Sequence, residues 1–207
     1  GRAAEALGIG SDDHVIVYDT YGLYSAARVW WMFRVFGHDR VSLLDGGLAK
    51  WKREARPVDA APAKRRTRRF TPRFRPELVR SKDQVLANLQ SKREQVVDAR
   101  PAGRFRGADP EPRAGLRGGH IPGSRNLPFA NLIDPNTKTV MPAEKIRAEF
   151  AKAGIDPNRP VVASCGSGVT ACVLILGLDM LGAKQAAVYD GSWSEWGLPG
   201  DTPVETG

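Results

Sequence analysis

A chain of 207 residues, 42% hydrophobic and 26% charged, has the make-up of a globular protein with room for one large domain or two small ones. Its longest apolar stretch, 169–181, is broken by Gly177 and Asp179 and falls short of the roughly 18–20 residues that cross a bilayer, which excludes a membrane helix. The net charge of +8 suits steering of small anionic substrates, while two cysteines exclude a disulfide framework and, with no nearby histidine, a zinc site.

In chain order, the run Val15-Ile16-Val17-Tyr18 reads as a short buried strand, residues 28–36 as an apolar helix, and Val41-Ser42-Leu43-Leu44 as a second strand ahead of Asp45-Gly46. The basic run Lys64-Arg65-Arg66-Thr67-Arg68-Arg69 follows, set among Pro57, Pro62, Pro72 and Pro76. Prolines at that density prevent a helix, and no aromatics interleave for stacking, so the run reads as a solvated linker and not as a nucleic-acid surface. Beyond it come a helix at 82–89, a strand at 95–99, a loop, a strand-like Asn126-Leu127-Pro128 and a helix at 143–153. The last part holds Val161-Val162-Ala163-Ser164, the loop from Cys165, a helix at 171–181 and the strand Ala186-Ala187-Val188-Tyr189. Alternating strands and helices predict an α/β fold with a mostly parallel sheet.

An internal repeat organises these elements. Gly37, Asp45, Gly46 and Trp51 match Gly182, Asp190, Gly191 and Trp196, each pair 145 positions apart. Aligning the strands upstream puts Asp19 where Cys165 stands, so only the second copy can do cysteine chemistry. The second copy also has an upstream half, 81–164, that the first lacks, and an N-terminally shortened first domain is expected, together with loss of any leader. The divisions expected are 1–56 for the first unit, 57–78 for the basic, proline-rich linker and 79–207 for the catalytic unit.

Cys165 lies between the end of a strand and the start of a helix, the position at which α/β sheets bind ligands. Gly166-Ser167-Gly168 allows the backbone to turn its N–H groups toward one point, and the helix N-terminus adds a positive field. Both favour a thiolate, the nucleophilic form. Cys172, on a helical face with Val169, Val173, Leu176 and Met180, reads as core packing. A tyrosine-phosphatase loop would need arginine where Ala171 stands, and a Cys–His protease is weakly supported by His14, His38 and His120, the last in the turn-like Gly119-His120-Ile121-Pro122-Gly123.

Cys165-Gly166-Ser167-Gly168-Val169-Thr170 resembles the active loop of 3-mercaptopyruvate sulfurtransferases, of the tandem rhodanese-domain family. The resemblance extends to Val97-Asp98-Ala99-Arg100, Gly103-Arg104-Phe105-Arg106-Gly107 and the run from Tyr189 to Trp196. In the first copy it includes the run from Tyr24 to Phe33 and Leu44-Asp45-Gly46-Gly47. It implies two rhodanese-like domains, each a parallel sheet flanked by helices, the first incomplete. Cys165 would be the nucleophile and Ser167 a proton relay. Arg104 and Arg113 would hold the substrate's carboxylate and keto oxygens, with Gly166, Gly168, Val169 and Thr170 completing the substrate loop. Uncharged Gly166 and Ser167 match the mercaptopyruvate type, whereas thiosulfate enzymes carry cations there. The implied reaction forms a Cys165 persulfide, releases pyruvate and passes sulfur to a thiol (thioredoxin or a small thiol) or to cyanide, with no metal or organic cofactor and no nucleic-acid or membrane partner. Thiosulfate sulfurtransferase, a persulfide carrier and a rhodanese-like binding module are the alternatives. The two free thiols favour a reducing compartment, so the cytoplasm is expected, with the mitochondrion as the alternative.

Overall fold

The computed structural model describes residues 1–61 and 65–207, so Pro62 and Lys64 of the expected linker lie outside the described residues. The C-terminal part is built on a five-stranded, all-parallel sheet. Its strands are β3 (Val79–Arg80), β4 (Gln95–Asp98), β5 (Arg125–Asn126), β6 (Val161–Ser164) and β7 (Ala186–Tyr189), in the spatial order β3-β7-β6-β4-β5. β6 is central, and all four of its residues are buried. Val161 and Ala163 face one apolar cluster and Val162 faces another, as a parallel sheet covered on both sides requires.

The helices supply those two covers. α4 (Lys82–Ser91) starts at a reciprocal capping box between Ser81 and Gln84. α6 (Ala143–Lys152) buries Ile146 and Phe150 against α7 (Ala171–Met180), which is apolar nearly all round. Met180, expected on the buried face with Cys172, is instead 45% exposed at the helix end. Trp193 and Trp196 of α8 (Ser192–Trp196) fill the opposite face with Tyr189 and Val85.

The N-terminal part, opened by the short α1 (Arg2–Ala6), repeats the last third of the chain. β1 (Val15–Val17) and β2 (Val41–Leu43) form a parallel two-stranded sheet joined through α2 (Ala26–Val35), and α3 (Gly47–Arg53) follows. α2 and α7 begin and end at equivalent positions, and so do the starts of β2 and β7 and of α3 and α8. α2 packs on α7, and Arg34 pairs at 2.5 Å with Asp179, its own equivalent 145 residues on. Equivalent residues meet in this way where two copies face each other about an approximate two-fold axis. Trp30, Trp31 and Val35 join the same apolar cluster as Cys172, Leu174 and Leu178, so the repeats share one core.

The expected solvated linker is in part a strap. Phe70 is buried among Phe33 and His38, Ser11 donates its N–H to Arg69 O, and Arg73 and Arg75 donate theirs to Phe36 O and Val35 O. Arg75 also grips Asp39 through both terminal nitrogens at 2.7 and 2.6 Å. One aromatic anchor and a ladder of backbone bonds outweigh the pull of the surrounding charges toward water.

Candidate active site

Cys165 leaves the carboxyl end of β6 and is 1% exposed. The loop after it is held from outside by its carbonyls. Trp193 N–H donates to Cys165 O and Ser194 N–H to Gly166 O, both at 2.9 Å, while Gly168 O accepts from Arg28 Nη1 at 3.3 Å and from the Cys172 thiol at 3.2 Å. With its oxygens drawn outward, the backbone turns an N–H inward, and Ser167 N–H meets Cys165 Sγ at 3.4 Å.

The cradle is narrower than the glycines alone imply. The N–H groups of Cys165 and Gly168 are both taken, at 3.1 Å, by Ser192 Oγ, whose own hydroxyl donates to Tyr189 O at 2.8 Å. Ser192, with a φ of 50°, sits in the left-handed region to make this tie. Gly168 therefore shapes the loop and does not offer its N–H to a ligand. Its φ is +73°, and a Cβ there would lie 2.7 Å from Asp190 O and 2.9 Å from Arg28 Nη1. Val169 is half-buried, and Thr170 is buried at the start of α7 without a side-chain capping bond. Ser167 is half-buried beside the thiol.

The two expected arginines do converge on the loop. Arg104, on the short α5 (Ala102–Phe105), puts Nη2 3.2 Å from where a Cβ on Gly166 would stand. Arg113 reaches the same residue from an exposed loop, donating to Ser194 Oγ at 2.9 Å and to Gly166 O at 3.4 Å. Sequence reasoning missed what holds Arg104. Glu111, with a side chain only 2% exposed, takes Nη2 at 2.5 Å and Nε at 3.3 Å. Its other partner is the buried Arg100, which also pairs with Asp98 and lies over the Trp193 ring at 4.2 Å. Two acids balance two arginines here, so the buried charges are compensated. Arg104 bonds through Nε and Nη2, which leaves Nη1 without a partner among the described residues.

The histidines have other employment. His120 is buried, stacks on Phe105 at 3.8 Å and donates Nδ1–H to Phe105 O, bracing α5; His14 contacts Ser42, and His38 the carbonyl of Arg40. Open cavities of about 610 and 590 Å³ occur elsewhere, one around Arg80 and Glu94, the other around Tyr21, Tyr24 and Phe129. Neither is lined by a cysteine, so the thiol chemistry places the candidate site at Cys165.

The first repeat keeps the loop and fills it. Asp19 O accepts from Leu48 N–H as Cys165 O does from Trp193, both at 2.9 Å, so the two residues are structural equivalents. The Asp19 carboxylate accepts the N–H groups of Tyr21, Tyr24, Ser25 and Ala26 at 2.8–2.9 Å. Burial alone would raise its pKa, but the four donors outweigh burial and hold it below the usual aspartate value. A folded-state pKa below the unfolded one stabilises fully above the ordinary carboxylate range and is lost as the pH falls through the folded value. Asp19→Ala should accordingly destabilise by about 1–2 kcal/mol at neutral pH, the low end of the range for orphaned N–H groups because the loop is part-exposed. Urea midpoints of variant and parent should converge as the pH falls below the ordinary aspartate range, and a gap unchanged by acid would disprove the assignment.

A model of the rhodanese-like domain matches residues 2–54 and 81–198. Thiosulfate/3-mercaptopyruvate sulfurtransferase 1, mitochondrial, of Arabidopsis thaliana is 43% identical over 222 residues, covering 97% of this chain and 58% of that protein. The 3-mercaptopyruvate sulfurtransferase of Homo sapiens is 46% identical over 195 residues, covering 93% of this chain and 65% of that one. The crystal structure of SseA from Escherichia coli, described with the "rhodanese" fold of 3-mercaptopyruvate sulfotransferases, superposes with a TM-score of 0.82 at 39% identity. That match covers 94% of this chain and 72% of SseA. The chain thus spans less than two thirds of the length of the two curated relatives. A mitochondrial form is among the similar proteins, and among the described residues no helix is long and apolar enough to cross a membrane.

Proposed function

The chain belongs to the rhodanese family, whose domain model covers both repeats, and from that premise we propose that it is a sulfurtransferase acting on 3-mercaptopyruvate. One observation supports this reading above the others: two arginines from separate segments meet over Gly166, next to the only loop cysteine. A substrate with an anionic end and a reactive sulfur needs both features at a few ångströms' separation.

In the first half-reaction the Cys165 thiolate attacks the substrate sulfur. An S–S bond forms, the C–S bond breaks, and its electron pair leaves on carbon as the pyruvate enolate. Arg104 and Arg113 hold the carboxylate and the oxygen on which that charge develops. Ser167, beside the thiol, relays the proton that converts enolate to pyruvate. In the second half-reaction a thiol, such as thioredoxin or a small thiol, or cyanide attacks the outer sulfur and restores the Cys165 thiolate. Cys172 keeps its free thiol throughout and Cys165 returns to the thiolate at the end of each cycle, which suits the cytoplasm or the mitochondrial matrix.

Parallel assays test the proposal on the chain itself: pyruvate release from 3-mercaptopyruvate and sulfite release from thiosulfate, each with cyanide as acceptor. The expected result is a higher kcat/KM for mercaptopyruvate. Faster sulfite release would make it a thiosulfate enzyme, and transfer only from one protein to another would make it a carrier.

A further inference from the structure

We infer that Arg28, contributed by the first repeat, is a positioning residue for the Cys165 loop, so that the site is assembled from both repeats; this deepens the sulfurtransferase reading and rests on it. Arg28 lies on α2, and its Nη1 crosses the repeat boundary to Gly168 O at 3.3 Å and to the Asp190 carboxylate. Those two acceptors stand on the two walls of the loop. Gly168 belongs to the loop itself. Asp190 precedes the turn whose Ser192 binds the N–H groups of Cys165 and Gly168. A single guanidinium thus fixes the relative position of the loop and of the turn that ties it.

Arg28 is itself held. Its guanidinium lies 4.7 Å from the centre of the Trp31 ring, and its side chain is 22% exposed. Burial would lower its pKa, but pairing with Asp190 outweighs burial and raises it, so the charge is permanent. Lysine could supply the charge but not the flat face that stacks on Trp31. Gly168 leaves no space for adjustment, since a Cβ there would already be 2.9 Å from Arg28 Nη1. If Arg28 is lost, the Gly168 carbonyl keeps only its bond to the Cys172 thiol, and the loop is free to drift relative to Arg104 and Arg113.

The same helix carries its own control. Arg34 also crosses to the second repeat, pairs with Asp179 at 2.5 Å and lies 4.7 Å from the centre of the Trp30 ring, but Asp179 is near the far end of α7 from the loop. A purely structural cross-repeat bond should therefore behave like Arg34.

Arg28→Met, Arg28→Lys and Arg34→Met would be compared in three measurements: thermal midpoint, kcat and KM for 3-mercaptopyruvate, and the rate at which iodoacetamide alkylates Cys165 at neutral pH. Both methionine variants should lose similar thermal stability. Only Arg28→Met should lose kcat, by roughly 10- to 100-fold with KM little changed, the scale expected when a reacting group shifts by about an ångström. Its alkylation rate should change with it, and Arg28→Lys should recover part of both. Should Arg28→Met not fold, Arg28→Lys decides by an intermediate loss that Arg34→Met does not show. Equal kcat and alkylation in the Arg28 and Arg34 variants would overturn the inference. Alkylation needs no sulfur donor, so a parent that alkylates normally and turns over neither donor would refute the sulfurtransferase reading while the role of Arg28 stays measurable.

Discussion

Cys165→Ser should abolish sulfur transfer from either donor while leaving the thermal midpoint almost where it is. The substitution exchanges one atom at a site that is 1% exposed and whose sulfur receives a single N–H bond, from Ser167 at 3.4 Å. A hydroxyl accepts that bond too, so little stability is lost. The chemistry has no such substitute. A serine hydroxyl is not an anion at neutral pH and cannot form the S–S bond through which the sulfur is carried. A fall on the order of 10⁵-fold or more, to background, is the scale found when the nucleophile of a covalent enzyme is deleted. Cys172→Ser is the matched control. Burial drives the Cys172 thiol far above the ordinary cysteine range, with Arg28 opposing only in part, so this group stays neutral and is a poor nucleophile. Its thiol donates to Gly168 O at 3.2 Å, a bond a serine hydroxyl keeps. Turnover should survive there, and normal turnover by Cys165→Ser would sink the whole reading.

How much of this could be read from residues alone follows the range of the interactions. The strand–loop–helix around Cys165 was legible because its signal is contiguous: a buried strand, two glycines and an apolar helix. The repeat was legible because equivalent residues kept one spacing. The clasp on the loop was not, because it closes over long separations. Ser192 binds N–H groups 24 and 27 residues away, and Arg28 reaches across 140 and 162 positions. Nothing local marks Ser192 for a positive φ, since only the pull of two N–H donors and the Tyr189 carbonyl holds it there. Glu111 was hidden for a similar reason. In a proline-rich, charged segment it reads as solvated, and only the fold brings Arg100 and Arg104 onto its two oxygens. Charge misled in the linker as well, where Phe70 decides the path of the chain more than the arginines around it.

Arg104→Ala should lose on the order of 10²-fold or more in kcat/KM for 3-mercaptopyruvate, the scale of losing a charge-assisted contact to developing negative charge. Arg104 is suited to that role by how it is fixed. Glu111 holds Nε and Nη2, so the fork is oriented before substrate arrives, and Nη1 stays without a partner among the described residues. Removing it also orphans part of a buried carboxylate, so some thermal stability should be lost beside activity. Arg104→Lys separates the two effects, since it restores charge near Glu111 without the two-point fork. It should recover stability better than turnover. Substrate choice can be tested on the same surface. A pair of cations in place of Gly166 and Ser167 should favour the thiosulfate dianion. At Gly166 the new side chain must also displace Arg104, whose Nη2 is 3.2 Å from where its Cβ would stand. Gly166→Arg with Ser167→Lys therefore weakens the grip on the mercaptopyruvate carboxylate as it adds charge near the thiol, and both effects shift preference the same way. Steady-state kinetics on both donors for parent, Arg104→Ala and the double variant should show the ratio of kcat/KM values moving toward thiosulfate in both variants. It should move further in the double variant, because only that one gains a cation for the dianion. A double variant that keeps the parent's ratio, or an Arg104→Ala protein that keeps mercaptopyruvate turnover, would remove the arginine from substrate recognition while leaving Cys165 as the sulfur carrier.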